Sequence, residues 1–263
     1  MKSIKQIFLL IKQKGIIGFS KSLIHKIIKP RIPDYKFYLS FFLNKKGLEI
    51  GGPSSFFSKN GLLPLYPVVA KLDGCNFNKY TIWQKNIDNS HYNYENHKYG
   101  NQYICEATEI TKAIPADNYD FVISCNVLEH IANSMKAINE WLKILKSSGT
   151  LLIIVPNKQS NFDHQRSTTK FEHLLDDFKR NIGEDDLSHL EEILKYHDLR
   201  LDVRAGSFEA FKVRSLKNFE NRALHQHIFD LSLLKQVFNY FNLKILKENE
   251  INTDFIILGK KQS

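Results

Sequence analysis

The chain has 263 residues, of which 43% are hydrophobic and 25% are charged, a composition that is ordinary for a globular protein with one large domain and an extension. No apolar run approaches the roughly 20 residues needed to cross a bilayer, and no signal-peptide pattern is evident, so a membrane-spanning protein is not expected. Three cysteines without a CxxC pair favour a reducing, cytoplasmic setting.

The net charge of +9 is concentrated at the amino end, where residues 1–30 carry seven lysines and no acid. Apolar residues recur there at helical spacing, which predicts a basic helical segment over residues 1–44. Such a helix could make peripheral contact with the inner face of an anionic membrane, or it could be a solvated basic face on a helix that packs against the core. No nucleic-acid-binding signature accompanies the charge, so DNA binding is not expected.

From Gly47 onward, strand-like and helix-like patterns alternate, as is typical of a parallel sheet with crossover helices. A continuous apolar run such as YDFVISCNV indicates a strand covered on both faces. The predicted strands are residues 47–52, 67–74, 102–108, 119–127 and 149–156, with a helix over 133–145. Gly149 is expected to end that helix as a left-handed cap.

The chain closes with a predicted helix over residues 231–241 and strands over 243–248 and 254–260. A turn of about five residues separates the two strands, so they must pair antiparallel. Residues 157–230 are far longer than a simple crossover, which predicts an inserted, mainly helical cap that selects the substrate. The sequence therefore predicts an α/β fold with a mostly parallel sheet and a reversed last strand, built from residues 45–156 and 231–263.

The stretch LEIGGPSSFF at residues 48–57 ends the first strand in a glycine turn. Open α/β sheets bind ligands at the carboxyl ends of their strands. The dinucleotide pattern GxGxxG fails here, because Pro53 and Phe56 stand where the second and third glycines would be. No Gly-Lys-Ser or Gly-Lys-Thr follows, so the turn is not a P-loop. A ligand that joins a nucleoside to an amino-acid tail, without a diphosphate, fits this turn better.

Acidic residues stand at or near the ends of the first three predicted strands, at Glu49, Asp73 and Glu106. At the second position a carboxylate can accept hydrogen bonds from both hydroxyls of a ribose. At the third position an acid can accept from an adenine amino group, and the small Ala107 leaves room for the ring.

The ordered motifs LEIGGPS, LDG, EATEI, YDFVISCNVLEHI and KILKSSGTLLIIVPN resemble those of class I S-adenosylmethionine-dependent methyltransferases. The resemblance covers residues 45–156 and 231–260 and implies a Rossmann-like fold with S-adenosylmethionine as cofactor. It implies that the glycine turn faces the methionine part, Asp73 the ribose and Glu106 the adenine. The cofactor-binding residues implied in this way are Glu49, Gly51, Gly52, Pro53, Asp73, Gly74, Glu106, Ala107, Asn126, Val127 and Leu128.

Methyl transfer to an oxygen of high pKa needs a base, and histidine is the usual one near neutral pH. Of ten histidines, six fall between His164 and His227. Three interpretations stay open: a catalytic base, histidines with no catalytic part, and a divalent metal held by His and Asp, although no standard metal spacing is present and no metal is assigned. The candidate catalytic residues are His164, His227 and His130, and the candidate substrate-binding residues are Arg166 and His225.

The DHQR and FENRALHQH stretches are similar to those of bacterial methyltransferases associated with surface-polysaccharide assembly, which implies O-methylation of a sugar, phosphate or phosphoramidate group on a nucleotide-activated or phosphorylated sugar precursor of a capsule. Arg166, Arg214 and Arg222 suit such an anionic, small-molecule acceptor. Two alternatives remain: a non-catalytic methyltransferase-like module that docks at the membrane, and an RNA ribose methyltransferase.

Overall fold

The computed structural model describes residues 29–84, 86–87, 90–95 and 98–262. A seven-stranded sheet in the order β5-β2-β1-β6-β7-β9-β8 forms its centre, and a two-stranded β3-β4 ribbon lies beside it. The strands are β1 (Lys46–Ile50), β2 (Lys71–Asn76), β3 (Tyr92–Glu95), β4 (Lys98–Gly100), β5 (Gln102–Ile104), β6 (Tyr119–Cys125), β7 (Leu145–Pro156), β8 (Leu243–Glu250) and β9 (Asp254–Lys261). All pairs from β5 to β7 are parallel, whereas β9 runs antiparallel to both of its neighbours. The predicted fold class is confirmed.

Helices cover both faces of the sheet. They are α1 (Tyr35–Leu39), α2 (Ser134–Ile144), α3 (Phe171–Arg180), α4 (Leu190–Tyr196), α5 (Phe208–Leu216), α6 (Asn218–Asn221) and α7 (Leu231–Tyr240). On one face, α2 buries Met135, Ile138 and Trp141 at helical spacing, and its Asn133 cap accepts a hydrogen bond from the Lys136 amide. On the other face, Tyr38 and Phe42 pack with the sheet residues of a second apolar cluster.

Several boundaries differ from those expected: β1, β5 and β6 end at Ile50, Ile104 and Cys125 rather than at residues 52, 108 and 127, and β2 and β7 differ as follows. The second strand spans Lys71–Asn76 rather than residues 67–74, so Asp73 lies inside the strand and Asn76 at its carboxyl end. Strand β7 starts at Leu145, directly after α2, and Ser148 rather than Gly149 takes the left-handed φ, at 62°. A Cβ on Gly149 would lie 2.9 Å from the Lys146 carbonyl oxygen, so this glycine is needed for close backbone packing instead.

Residues 157–230 carry α3 to α6 between β7 and α7, where the cap was expected. Helix α3 buries Leu174 in the main core, whereas Ile193, Ala205, Phe211 and Leu224 form a small apolar cluster of their own. Residues 1–28 of the predicted amphipathic segment lie outside the described part of the chain. Among the helices that the structure does describe, none combines the length and apolarity that a bilayer crossing requires.

Candidate active site

A cleft with a volume of about 790 Å³ opens at the carboxyl ends of β1, β2, β5 and β6. The floor of the cleft includes Gly51, Asn76 and Glu106. These residues lie at or just after the carboxyl ends of three neighbouring strands, β1, β2 and β5. Cap residues, among them His225 and Arg222, form the opposite wall. The volume lies in the range of about 300–1,000 Å³ that is usual for small-molecule sites.

The glycine turn forms one end of this cleft, which Gly51, Gly52 and Pro53 line. Gly51 has a φ of 75°, and a Cβ on it would lie 2.4 Å from a methyl of Val127. A Cβ on Gly52 would lie 2.1 Å from the Tyr92 hydroxyl oxygen. Only glycines therefore allow the turn to sit this close to its supports.

Glu49 supports the turn from beneath and does not line the cleft. Its carboxylate accepts hydrogen bonds from the hydroxyls of Tyr66 and Tyr92 at 2.8 and 2.7 Å and from the Ser54 amide at 3.0 Å. Complete burial raises the pKa of Glu49 to about 7, against the lowering effect of these donors. The placement makes Glu49 a structural residue, so the expected cofactor contact finds no support.

Asp73 and Gly74 also lie away from the cleft. The Asp73 carboxylate is completely buried and accepts from the Asn101 amide and the Tyr119 hydroxyl, each at 2.8 Å. Gly74 packs against the Tyr92 ring. The expected ribose contact of Asp73 therefore does not agree with the structure, because the strand runs two residues further than predicted. Asn76 takes the place at the strand end, where its side-chain amide donates to the Gly52 carbonyl at 3.1 Å.

The remaining predicted cofactor residues lie mostly where the sequence placed them. Glu106 and Ala107 line the cleft, and the Glu106 carboxylate accepts from the Arg222 guanidinium at 2.6 Å. Asn126 and Val127 also line it, with Asn126 in the left-handed region at a φ of 53°. Leu128 is completely buried in the core beneath and does not reach the cleft.

His225 is the cleft histidine with an acidic partner. Its Nδ1 lies 2.5 Å from Oδ2 of Asp163, a carboxylate that is 1% exposed and also bonded to Arg166. Burial disfavours a charged His225, but the attraction of Asp163 outweighs it and raises the pKa of His225 above its usual 6.5. Because a carboxylate only accepts, Nδ1 carries the proton and Nε2 is left as the basic nitrogen.

Glu129 and His130 line the cleft next to His225. The rings of His130 and His225 are 4.6 Å apart, and Nε2 of His130 lies 3.9 Å from Oε1 of Glu129. Glu129 is 2% exposed, and neither of its carboxylate oxygens has a hydrogen-bond partner among the described residues, so burial raises its pKa to about 7. Burial lowers the pKa of His130 to about 3, which keeps that ring neutral. These three side chains could together bind a cation or a polar group of a substrate.

The other predicted catalytic and substrate-binding residues do not reach the cleft. His164 lies 3.0 Å from an oxygen of Asp198, and His227 is buried against the Ala132 carbonyl. Arg166 is 2% exposed, and its guanidinium donates hydrogen bonds to Asp163, to Glu192 and to two backbone carbonyls of the cap. It therefore holds the His225 segment in place and is not free for an anionic acceptor.

Sequence reasoning missed Asp163, Glu129 and Asn76. Asp163 and Glu129 each stand next to a histidine that was considered, in DHQR and LEH. Adjacency to a histidine was the available signal for both, but the contact of Asp163 with His225 spans 62 positions and needs the folded cap. Asn76 was missed because the strand end was placed two residues too early.

Comparisons with known proteins bear on the fold and the family. Residues 65–153 match the family model described as a methyltransferase domain. A 44-residue stretch is 48% identical to an uncharacterized protein of Methanocaldococcus jannaschii, and it spans 17% of this chain and 19% of that protein.

Solved structures align with this chain at low identity. One that is named for Zn-dependent alcohol dehydrogenases of Rhodobacter sphaeroides aligns over 89% of this chain and 91% of that chain, with 12% identity and a TM-score of 0.51. A SAM-dependent methyltransferase of Archaeoglobus fulgidus aligns over 97% and 99%, with 14% identity and a TM-score of 0.46. The match over residues 65–153, about a third of the chain, indicates a methyltransferase domain in this part of the sheet, with S-adenosylmethionine as its cofactor.

Proposed function

We propose that the protein transfers a methyl group from S-adenosylmethionine to a hydroxyl group of a small acceptor, with His225 as the general base. The observation that carries this proposal is the pairing of His225 with the buried carboxylate of Asp163, at 2.5 Å, on the wall of the cleft. A histidine held in one tautomer by a carboxylate presents its other nitrogen as a base of fixed direction.

The residues of the cleft fit the cofactor. Gly51 and Gly52 would hold the methionine part, and Asn76, with its side-chain amide at the end of β2, would contact the ribose. Ala107 leaves room for the adenine ring, with Glu106 beside it, and all of these line one continuous cavity. Asn126 and Val127 would lie nearest the sulfur.

The proposed reaction assigns separate tasks to the side chains. When bound, S-adenosylmethionine supplies a methyl group that its positive sulfur has already activated. Nε2 of His225 would remove the proton from the acceptor hydroxyl, so that its oxygen could take the methyl group that the cofactor would supply, with the electron pair of the broken carbon–sulfur bond left on sulfur. Asp163 stabilises the imidazolium that results, and the walls of the cleft hold donor and acceptor in line.

For the acceptor we propose a small anionic, carbohydrate-like molecule. Arg204, Arg214 and Arg222 line the cap side of the cleft. Arg214 is paired with Asp202, and Arg222 with Glu106, whereas Arg204 forms no ion pair with any described residue. A phosphate or carboxylate on the acceptor would give Arg204 a partner. The protonated form of Glu129, which its raised pKa allows near neutral pH, could donate to a sugar oxygen.

The cofactor part of the proposal is tested by calorimetric titration with S-adenosylhomocysteine, for which we expect binding in the micromolar range. The acceptor is sought by incubating the protein with labelled methyl donor and a panel of sugar phosphates, nucleotide sugars and neutral sugars, followed by mass measurement of the products. Methylation of the anionic members is expected. Binding without turnover on any hydroxyl compound would contradict the proposed reaction.

The role of His225 is tested with His225→Asn once a substrate is known. We expect kcat to fall by about 10²- to 10⁴-fold, which is the usual contribution of a general base, while S-adenosylhomocysteine binds as before. His164→Asn is the matched control, because His164 also pairs with an aspartate in the cap but lies outside the cleft. Equal losses in the two variants would reject His225 as the base.

A further inference from the structure

Four side chains of the cap converge outside the cleft and take no part in the reaction proposed above. His173 and Asp177 lie one turn apart on α3, His189 directly precedes α4, and His227 lies on the segment between α6 and α7. We call them the cap histidine cluster. One nitrogen or oxygen atom from each residue lies within 4.8 Å of the others, although the residues span 55 positions of the sequence.

The separations within the cluster match the edges of a tetrahedral metal site. Nε2 of His173 lies 3.0 Å from Nε2 of His189 and 3.3 Å from Oδ2 of Asp177. The His227 ring lies beside the same carboxylate oxygen, with Nε2 at 3.7 Å, but this nitrogen donates to the Ala132 carbonyl, so the ring would bind an ion through Nδ1. Bonds of about 2.0–2.2 Å to Zn²⁺ place tetrahedral ligand atoms about 3.3–3.6 Å apart, so small movements would bring the atoms of His173, Asp177 and His189 to binding distance.

The cluster leaves buried polar atoms without partners. Oδ2 of Asp177 and Nδ1 of His227 make no hydrogen bond with any described residue, and the His227 side chain is 1% exposed. Nε2 of His227 lies 3.0 Å from the Ala132 carbonyl, which can only accept, so the proton is on Nε2 and a lone pair is left on Nδ1. Buried polar atoms of this kind are costly unless something binds them.

The chemistry of the four residues selects a transition metal. Three imidazoles and one carboxylate suit Zn²⁺ better than Mg²⁺ or Ca²⁺, which prefer sites made of oxygen atoms.

We infer that the cap histidine cluster binds one Zn²⁺ ion in a closed, four-coordinate site that stabilises the cap. The ion would join α3, the start of α4 and the segment of His227. That segment also carries His225, and its Gln226 amide donates to the Glu129 carbonyl at 2.7 Å. The metal would therefore fix the cap segment from which His225 enters the cleft. The inference rests on the cluster alone and does not depend on the proposed methyl transfer.

The test uses the full chain without a histidine tag, treated with chelator, dialysed and then titrated with Zn²⁺. We expect one equivalent by elemental analysis, a higher melting temperature, and a visible tetrahedral spectrum when Co²⁺ replaces Zn²⁺. His173→Asn should weaken Zn²⁺ binding by more than about 100-fold, beyond the 10- to 100-fold loss usual for outer-shell residues. His173 is the most exposed of the four, with a 38% exposed side chain, so this variant is expected to fold.

Two controls locate the ion. His164→Asn alters a cap histidine outside the cluster and should keep the full equivalent. His130→Asn alters the group formed by Glu129, His130 and His225 in the cleft, the other place where three such atoms meet among the described residues. If His130→Asn releases the ion and His173→Asn does not, or if the wild-type protein binds no Zn²⁺ and its melting temperature is unchanged, the inference is wrong.

Discussion

Individual buried acids of this molecule differ in how their charge is compensated. Asp163 is held between His225 and Arg166, which lower its pKa to about 2 despite burial. Glu129 has no hydrogen-bond donor among the described residues, and burial raises its pKa to about 7. Near neutral pH the first is a permanent anion and the second exchanges its proton readily. The cleft therefore has a fixed negative charge behind its histidine and a titratable group beside it.

The pairing of His225 with Asp163 sets the pH dependence of the proposed reaction. His225 must be unprotonated to act as a base, so the rate should rise through its pKa, which Asp163 raises above 6.5. In Asp163→Asn the attraction for the proton is lost, so the rising limb of the pH–rate profile should move to lower pH, along with a lower maximum. A limb that stays in place or moves to higher pH would contradict this assignment.

Glu49 contributes to a pH dependence of stability. Its pKa is about 7 in the folded protein against 4.5 when unfolded, so the folded state holds a proton that the unfolded state releases. Stability from this group is therefore complete below about pH 4.5 and is lost as the pH rises through about 7, by at most about 3 kcal/mol. The neighbouring Tyr66 and Tyr92 have raised pKa values and do not titrate in this window.

Glu49→Gln should flatten that dependence. Measured by urea unfolding at pH 5.5 and 8, the free energy of unfolding should fall less with rising pH in the variant than in the wild type. Contributions from Glu129, Glu184 and the buried histidines are common to both proteins and cancel in the comparison. An equal or steeper fall in Glu49→Gln would show that Glu49 is ionised in the folded state throughout.

Among the elements, the turn after β1 is the most constrained by its surroundings. Gly51 combines a φ of 75° with a Val127 methyl 2.4 Å from where a Cβ would stand. Gly51→Ala should lower the free energy of unfolding by about 2–5 kcal/mol, from backbone strain of about 1–2 kcal/mol and overlap of about 1–3 kcal/mol.

A double-mutant cycle separates the two causes. In a Val127→Ala background the nearest remaining side-chain atom is the Cβ at 3.5 Å, so only the backbone strain of Gly51→Ala should remain. Urea unfolding of the four proteins should therefore show a favourable coupling of about 1 kcal/mol or more. Strictly additive effects would mean that the overlap is relieved in another way.

The strands of the main sheet could be predicted from the sequence, whereas some strand ends could not. Apolar runs and the glycine turn predicted every parallel strand of the main sheet, because burial on both faces leaves a clear pattern. The end of β2 was misplaced, because Asp73 reads as an exposed strand end although Tyr119 and the Asn101 amide satisfy it in the interior. Which histidines reach the cleft could not be predicted either, because this depends on the folded cap. His225 and His227 are two apart, yet one enters the cleft and the other the cap histidine cluster, in a segment without regular secondary structure.

Over the whole molecule, apolar packing is uneven. Two large apolar clusters pack on the two faces of the main sheet, whereas a small separate cluster lies under α4 and α5 and consists of Ile193, Ala205, Phe211 and Leu224. Segments with few buried apolar contacts open at lower free energy than the core does. The outer cap is therefore expected to open locally while the sheet stays closed.

Hydrogen exchange followed by mass spectrometry should show this difference. In chelator-treated protein, amides of α4 and α5 should exchange well before those of β6 and β7, with α3 intermediate because Leu174 packs into the main core. The Zn²⁺-loaded protein with S-adenosylhomocysteine present is measured in parallel. Slower amide exchange there would report protection by the bound ligands. Simultaneous exchange of cap and sheet would indicate a single cooperative unit.

The chain's two tryptophans both touch the wall of the cleft. Trp83 is 52% exposed with its ring 4.9 Å from that of His130, and the indole of the buried Trp141 donates to the Ala107 carbonyl at 3.0 Å. One indole thus meets water where an acceptor would enter, and the other is shielded behind the place proposed for adenine. Tryptophan fluorescence can therefore report ligand binding in either half of the cleft without an added dye. The buried Trp141 should emit at a shorter wavelength than the exposed Trp83.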